Sequence, residues 1–559
     1  MFINPETFGI VPGSEVSMGF NNMFSALKQN IAKKTITLQK GVYYFSSENA
    51  SSRRLFITNT IGEDQYKNSE EKNIHKVALY LENLKDLQID AQGSTFILNG
   101  RLTNMVIDSC ENITIKNLKI KTHKPDVHKL TVLTASSFYA TFKLDNESNY
   151  TEEKGKYYWY GTDYKTDFLK YRLTGWWTPT AKPDNLNHLV RNGAHPFKNS
   201  VSLKEIAPRV FKVRYISPVK LTEGQVFYIF SCKRKNVGIF AQNTKNLVLK
   251  NVSQSFSPSL AFVAQNCEDI FLDKVDFSPE KVGEVDFTSI ADFIQICMCR
   301  GKIKVSGSNF DAAGDDTINV HGFNFKISEI AENKISVKFC HPQSYGFECF
   351  RPGDNIAYIN SKTLLDKGTN SIVSSRLLDL YTHELTLENG DIQAKIGDFV
   401  ENTSACPDFE FSDNTVNRIV TRGLLVTTRG KVLIQGNRFL NTGENGILIS
   451  DDASHWYESG PVRDVTIRSN AFMNCDGNAI FIRPENKENA GPVHENIVIE
   501  NNLFCLKGRR AYNIRNTKNV VIRNNAYMEV SEKDDWALFD NVQELSFEDK
   551  PYNSDNNIE

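Results

Sequence analysis

The 559-residue chain contains no run of 18 or more apolar residues, so nothing in it reads as a membrane-spanning helix. It also lacks an excess of either charge. Sixty-five basic residues stand against 67 acidic ones, a formal net charge of -2. That balance excludes a nucleic-acid binder working through a general basic field. The ten cysteines show no close CxxC pair of the zinc-binding kind, and Cys267, Cys297 and Cys299 fall inside apolar strand patterns. Free, buried thiols are expected, with no thiolate metal site, no disulfide framework and no cofactor. The opening Met1-Phe2-Ile3-Asn4-Pro5 lacks the basic and apolar segments of a signal peptide. The chain therefore reads either as cytoplasmic or as one whose leader has been removed.

What is present is a core-forming composition and a repeat. Hydrophobic residues make up 40% and charged residues 24%, enough to bury a large interior. The length exceeds one ordinary domain unless the fold is an elongated repeat. A recurring phrase of alternating apolar residues and Asn reads Asn-Ile-Thr-Ile-Lys-Asn-Leu at 112–118 and Asn-Leu-Val-Leu-Lys-Asn-Val at 246–252. It returns from 269, 302, 431, 464, 496 and 519. Starts at 246 and 269 stand 23 apart, 431 and 464 stand 33 apart, and 496 and 519 stand 23 apart. Period-2 alternation makes each unit a strand, and periods of about 20–35 mean stacked units that cannot bury their apolar faces alone. The spacing predicts a parallel β-helix. A propeller would need blades of about 40 residues.

Two stretches break the rhythm and are read as inserted small β-barrel-like domains. The first holds Tyr157-Tyr158-Trp159-Tyr160 and Trp176-Trp177, aromatics that suit sugar stacking or a small core. The second holds Gly346-Phe347 and Arg351-Pro352-Gly353-Asp354. The expected organisation is N-terminal coils over 1–120, an insertion over 121–232, central coils over 233–322, a second insertion over 323–405, C-terminal coils over 406–530, and a cap and tail over 531–559.

The chemistry is expected at Asp292 and at Asp315-Asp316, 23 residues on. One period along the chain is one rung in space, about 4.8 Å, so the three acids should meet. Crowded carboxylates raise at least one pKa and keep a proton available. Glycoside hydrolysis needs that, together with an ionised partner. Alternation through Ile318 and Val320 turns Asn319 and His321 outward, and the cost of burying a charge places the doublet at a bend. Spacing alone leaves structural stacking or calcium binding open.

Here the residues resemble glycoside hydrolase family 110, the α-1,3-galactosidases. The resemblance rests on Gly314-Asp-Asp-Thr-Ile-Asn-Val-His-Gly322, Arg422-Gly-Leu-Leu-Val-Thr-Thr-Arg-Gly430 and Asp452-Ala-Ser-His-Trp-Tyr-Glu-Ser-Gly-Pro461, with Lys40 to Phe45 and Gln343 to Phe347. It implies an all-β, right-handed parallel β-helix with inserted barrels, and inverting exo-hydrolysis of terminal α-1,3-linked galactose. It further implies Asp315 as general acid, with Asp292 and Asp316 holding the water. Asn319, His321, Asp451, Asp452, Trp456 and Glu458 become candidate sugar contacts, as do Arg422 and Gln295. Arg422 and Arg429 read equally well as surface ion pairs. Family sequences carry Asp-Ala-x-His at the first acid, where this chain has Asp292-Phe293-Ile294-Gln295, so the substrate subtype is open. A polygalacturonase-like hydrolase is the second reading and a non-catalytic polysaccharide-binding protein the third. A glycan substrate points to a periplasmic or secreted protein, and protruding domains would allow a homodimer.

Overall fold

The computed structural model describes residues 1–28, 32–60, 73–161, 165–169, 178–192, 196–230, 234–280, 286–530 and 535–549. Trp176, Trp177 and the charged stretch 531–534 lie outside them. Among the described residues no helix is long and apolar enough to cross a membrane.

The repeat phrases stack as three parallel ladders around one apolar interior. One ladder runs through Ile239–Gln242, Phe262–Gln265, Ile294–Cys297, Ile318–Phe323 and Leu424–Val426. A second carries the phrases themselves. Leu247 lies beside Ile270, Val432 beside Val465 and Ile497 beside Val520, the spacings read from the sequence. A third holds Asn309–Ala313, Thr415–Ile419, Arg438–Thr442 and Ala471–Met473. Alternation turns every second residue of a strand inward, and like side chains pile up. Phe439, Phe472 and Phe504 stack with centroids 5.0 Å apart and rings 7° from parallel. Burying each such side chain contributes about 1.5–3 kcal/mol.

The recurring asparagines do two jobs. Asn112 and Asn246 sit at left-handed corners, with φ of 56° and 54°, and the Asn246 amide donates to Asn112 Oδ1 at 2.8 Å. Asn tolerates that backbone better than most residues. Asn414, Asn437, Asn470, Asn502 and Asn525 form a second ladder, each amide donating to the next side-chain oxygen at 2.9–3.1 Å. The ladder satisfies backbone groups that a bend would otherwise leave unpaired.

An α-helix not expected from the repeat, Ser17–Leu27, lies at the start of the coil. It buries Phe20, Met23, Phe24 and Leu27 against the first rungs, where the stack would otherwise expose its interior. At the other end, Ala537–Phe547 forms a further parallel rung, so the coil runs past residue 530.

The first insertion pairs seven antiparallel strands between Val127 and Phe230, with a three-stranded sheet from Tyr150 to Asp167. Trp159 is fully buried and stacks on Phe168 at 3.6 Å, so this aromatic builds the insertion's core. The second insertion is a closed six-stranded barrel between Phe325 and Asn402. Both dock on the same bend of the coil. Ile290 and Ala312, just before the acids, pack with Val127, Leu189 and Tyr228 of the first insertion. Cys297 and Phe323, just after them, belong to the barrel's apolar core.

Candidate active site

Asp292, Asp315 and Asp316 meet at that bend, in a cleft also lined by Asn59, Arg234, Arg422 and Trp456. The bend precedes the strands Ile294–Cys297 and Ile318–Phe323, so side chains there escape the inward alternation. Ile294 pairs with Ile318, an offset of 24 rather than the 23 read from the repeat. Asp292 is therefore level with Asp316, and Phe293 N–H donates to the Asp316 carbonyl at 2.9 Å. Gly314 permits this close stacking, because a Cβ there would meet the Ile290 carbonyl oxygen at 2.4 Å.

Each doublet acid has its own arginine. Arg422 forks onto Asp316 through Nε and Nη2, both at 2.8 Å, and its backbone N–H donates at 3.1 Å. Arg234 Nη2 donates to Asp315 Oδ2 at 3.0 Å. The Thr421 hydroxyl lies 3.2 Å from Asp315 Oδ1 and 2.6 Å from Asp316 Oδ1. Among the described residues Asp292 has no donor to its carboxylate. Burial first, then the charges of Asp315 and Asp316, push its pKa well above the usual carboxylate range. Of the three aspartates, Asp292 is the one whose surroundings favour the protonated form. Asp315, the expected donor, is the one held in an ion pair with Arg234.

The expected sugar contacts divide into two groups. Asn319, Arg422, Trp456 and Glu458 line the cleft, and Asn319 Nδ2 donates to Glu458 Oε1 at 3.1 Å. Trp456 is 38% exposed there and stacks on His341 of the barrel at 4.5 Å. Burial lowers the His341 pKa to about 4, so the pair is a neutral ring stack.

The other expected contacts lie behind the wall. His321 and Gln295 point out of the coil but are buried, His321 against the Phe323 ring. His321 Nδ1 donates to the Gly322 carbonyl at 2.8 Å, which leaves Nε2 to accept from Gln295 Nε2 at 2.5 Å. Asp451 is buried and accepts from Asn324 at 3.2 Å; burial and the nearby Glu401 raise its pKa to about 8. Asp452 turns back on its own loop. It accepts from the backbone N–H groups of Ser454, His455, Trp456 and Tyr457 at 2.5–3.3 Å. Both acids are thus structural. Arg422 and Arg429 are not surface pairs either. Arg429 reaches Glu401 at 2.8 Å and Asp366 at 2.6 Å, fastening the barrel to the coil.

Because Asp452 shapes the loop that presents Trp456, Asp452→Ala should raise KM roughly tenfold while kcat changes little. Tryptophan fluorescence should shift, and Asp452→Asn should restore part of the affinity. An unchanged KM would remove Asp452 from substrate positioning.

Sequence reasoning missed Arg234, Thr421, Leu425 and Asn59, all at the cleft. Arg234 stands in the basic triplet Lys233-Arg234-Lys235, where the chain returns to the coil, and that triplet was the available signal. Asn59 arrives on a segment clamped by the barrel. Its N–H donates to the Gln343 carbonyl at 3.1 Å, and the Thr58 and Ser344 hydroxyls lie 2.9 Å apart. The Gln343-Ser344-Tyr345 motif is thus a brace for a cleft residue.

Two family models match the chain, the GLAA-B beta-barrel domain II over residues 334–400 and the right handed beta helix region over 377–527. Alpha-1,3-galactosidase A of Bacteroides thetaiotaomicron is 32% identical over 487 residues, 86% of this chain and 83% of that protein. The Akkermansia muciniphila protein of the same name is 30% identical, over 94% and 86% of the two chains. Alpha-1,3-galactosidase B of Phocaeicola vulgatus is 28% identical, over 94% and 89%. Among solved structures, a family 28 exopolygalacturonase of Yersinia enterocolitica aligns at TM-score 0.41 and 10% identity, over 99% and 79%. That likeness is too distant to bear on activity. Fold, cleft and relatives define a glycoside hydrolase on a right-handed parallel β-helix. Within that class, the chain belongs to the α-1,3-galactosidase family.

Proposed function

We propose that the protein is an exo-acting hydrolase that releases terminal α-1,3-linked galactose from glycans with inversion. The carrying observation is the division of labour in the cleft, where Asp292, its pKa pushed up by burial and by its neighbours, stands beside two arginine-bound carboxylates. Asp292 donates to the leaving glycosidic oxygen. Asp315 and Asp316 hold the attacking water and take its proton. Neither doublet acid is free to swing onto the sugar carbon, because Arg234, Arg422 and Thr421 fix both. That supports displacement by water over a covalent intermediate. The cleft is small, with a cavity of about 60 Å3. A chain end carrying one buried sugar suits it.

The relatives' names supply the sugar and linkage. A uronate, as in a polygalacturonase, would bring a further negative charge to three carboxylates whose two arginines already serve Asp315 and Asp316. NMR of the first-formed sugar tests the stereochemistry. β-Galactose is expected from an α-1,3-galactoside, and α-galactose as the initial product would overturn inversion. A periplasmic or secreted location follows from the same reading, since such glycans lie outside the cytoplasm.

A further inference from the structure

A second polar pocket opens on the same edge of the coil. Its floor is built by the coil turns at Asn474–Asp476 and Leu506–Arg509, and its roof by Asp184, Asn185 and His188 of the first insertion. Its cavity of about 430 Å3 is several times larger than the one at the acids. The two pockets are separate. The strand Asn185–Asn192 seals against Gly443, where a Cβ would meet the Leu189 carbonyl oxygen at 2.7 Å, and Arg191 lies 3.6 Å from Glu444. Following the bends from Asp316 through Arg422 and Glu444 to Asp476 crosses three rungs, about 14 Å.

The lining has the chemistry of a sugar site. Asp184 and Asp476 offset Lys507 and Arg509, so the pocket has no formal charge to attract a simple ion. Carboxylates, amides and guanidinium groups are the donors and acceptors that pair with vicinal hydroxyls. Leu506 and Cys475, nearly buried, give the floor an apolar patch. His188 is 5% exposed, and its Nε2 makes no hydrogen bond to a described residue. It stands 3.4 Å from Asp476 Oδ2, outside hydrogen-bonding geometry. A ligand hydroxyl at Nε2 would supply the hydrogen bond that the contact with Asp476 does not.

We propose that this pocket is a second glycan-binding site, which holds a neighbouring branch of the polymer whose terminal galactose occupies the catalytic cleft. The inference rests on the galactosidase reading above. Two bound branches raise affinity for a multiply branched substrate without any new contact at the acids.

The test uses the full chain, an aryl α-galactoside, and a polymer bearing many α-1,3-galactobiose branches. Asn185→Ala combined with Arg509→Ala alters two rim side chains far from the acids. It should leave aryl galactoside kinetics unchanged and raise KM on the polymer about five- to tenfold. In an Asp292→Asn background, calorimetry with α-1,3-galactobiose should count two sites, and one when the rim pair is also replaced. A single site with the pocket intact, or an unchanged KM on the polymer, overturns the second site. A wild-type protein that leaves the aryl galactoside intact overturns the hydrolase reading instead.

Discussion

Asp292→Asn is expected to lower kcat on α-1,3-galactobiose by about 10²–10⁴-fold, the span typical of removing a general acid. The loss should shrink sharply on an aryl galactoside with a good leaving group, which departs without protonation. Asp315→Asn should slow both substrates alike, because water activation is needed whatever the leaving group. The sign of the pH dependence follows from the raised pKa. Activity needs protonated Asp292, so it is present below that pKa and falls as pH rises through it, above the ordinary carboxylate range. The alkaline limb should vanish in Asp292→Asn. Leaving-group rescue in Asp315→Asn instead would return the donor role to Asp315.

Arg422→Ala should cost about 3–5 kcal/mol of stability, the usual consequence of leaving a buried charge without its partner. The Asp316 side chain is 2% exposed and would keep only the Thr421 hydroxyl and the backbone N–H of residue 422. Arg422→Lys should recover part of the loss, since an ammonium restores the charge but not the fork. Urea unfolding checks both. A loss below about 1 kcal/mol would put the pair with exposed ion pairs, which contribute little. Activity should fall as well, because the same fork aims Asp316 at the cleft.

The coil was legible because each rung repeats one rule, an apolar alternation flanked by Asn, so Asn112 and Asn246 announce the same corner. The acid doublet was legible for a related reason: Asp315 and Asp316 interrupt that rule. Arg234 and Asn59 were hidden because they reach the cleft from segments outside the repeat. Arg234 lies 81 residues before Asp315, where no local pattern records the contact. Asp452 misled through its chemistry. An Asp before Ala453-Ser454 is also a turn former that captures its own downstream N–H groups, and that local demand won over the cleft. The helix Ser17–Leu27 was readable from Phe20, Met23, Phe24 and Leu27 at helical spacing, but strand periodicity dominated the neighbouring sequence.

The insertions also bear on how the molecule assembles in time. Neighbouring rungs such as Asn496 and Asn519 lie 23 residues apart. Asn112 and Asn246 are 134 apart across the first insertion, and Ser308 and Asn414 are 106 apart across the barrel. Closing the longest loop costs only about 1.5 kcal/mol more than closing a short one, a small charge at equilibrium. Its effect on rate is larger, since distant pairings form slowly. Zipping that runs rung by rung within each block must halt at two seams until the intervening domain has folded and brought its ends together. The bend that carries the three acids, Asp292 through Asp316, lies between those seams. The acids can gather early, while Arg422 and the walls of the cleft join them only after the barrel closes.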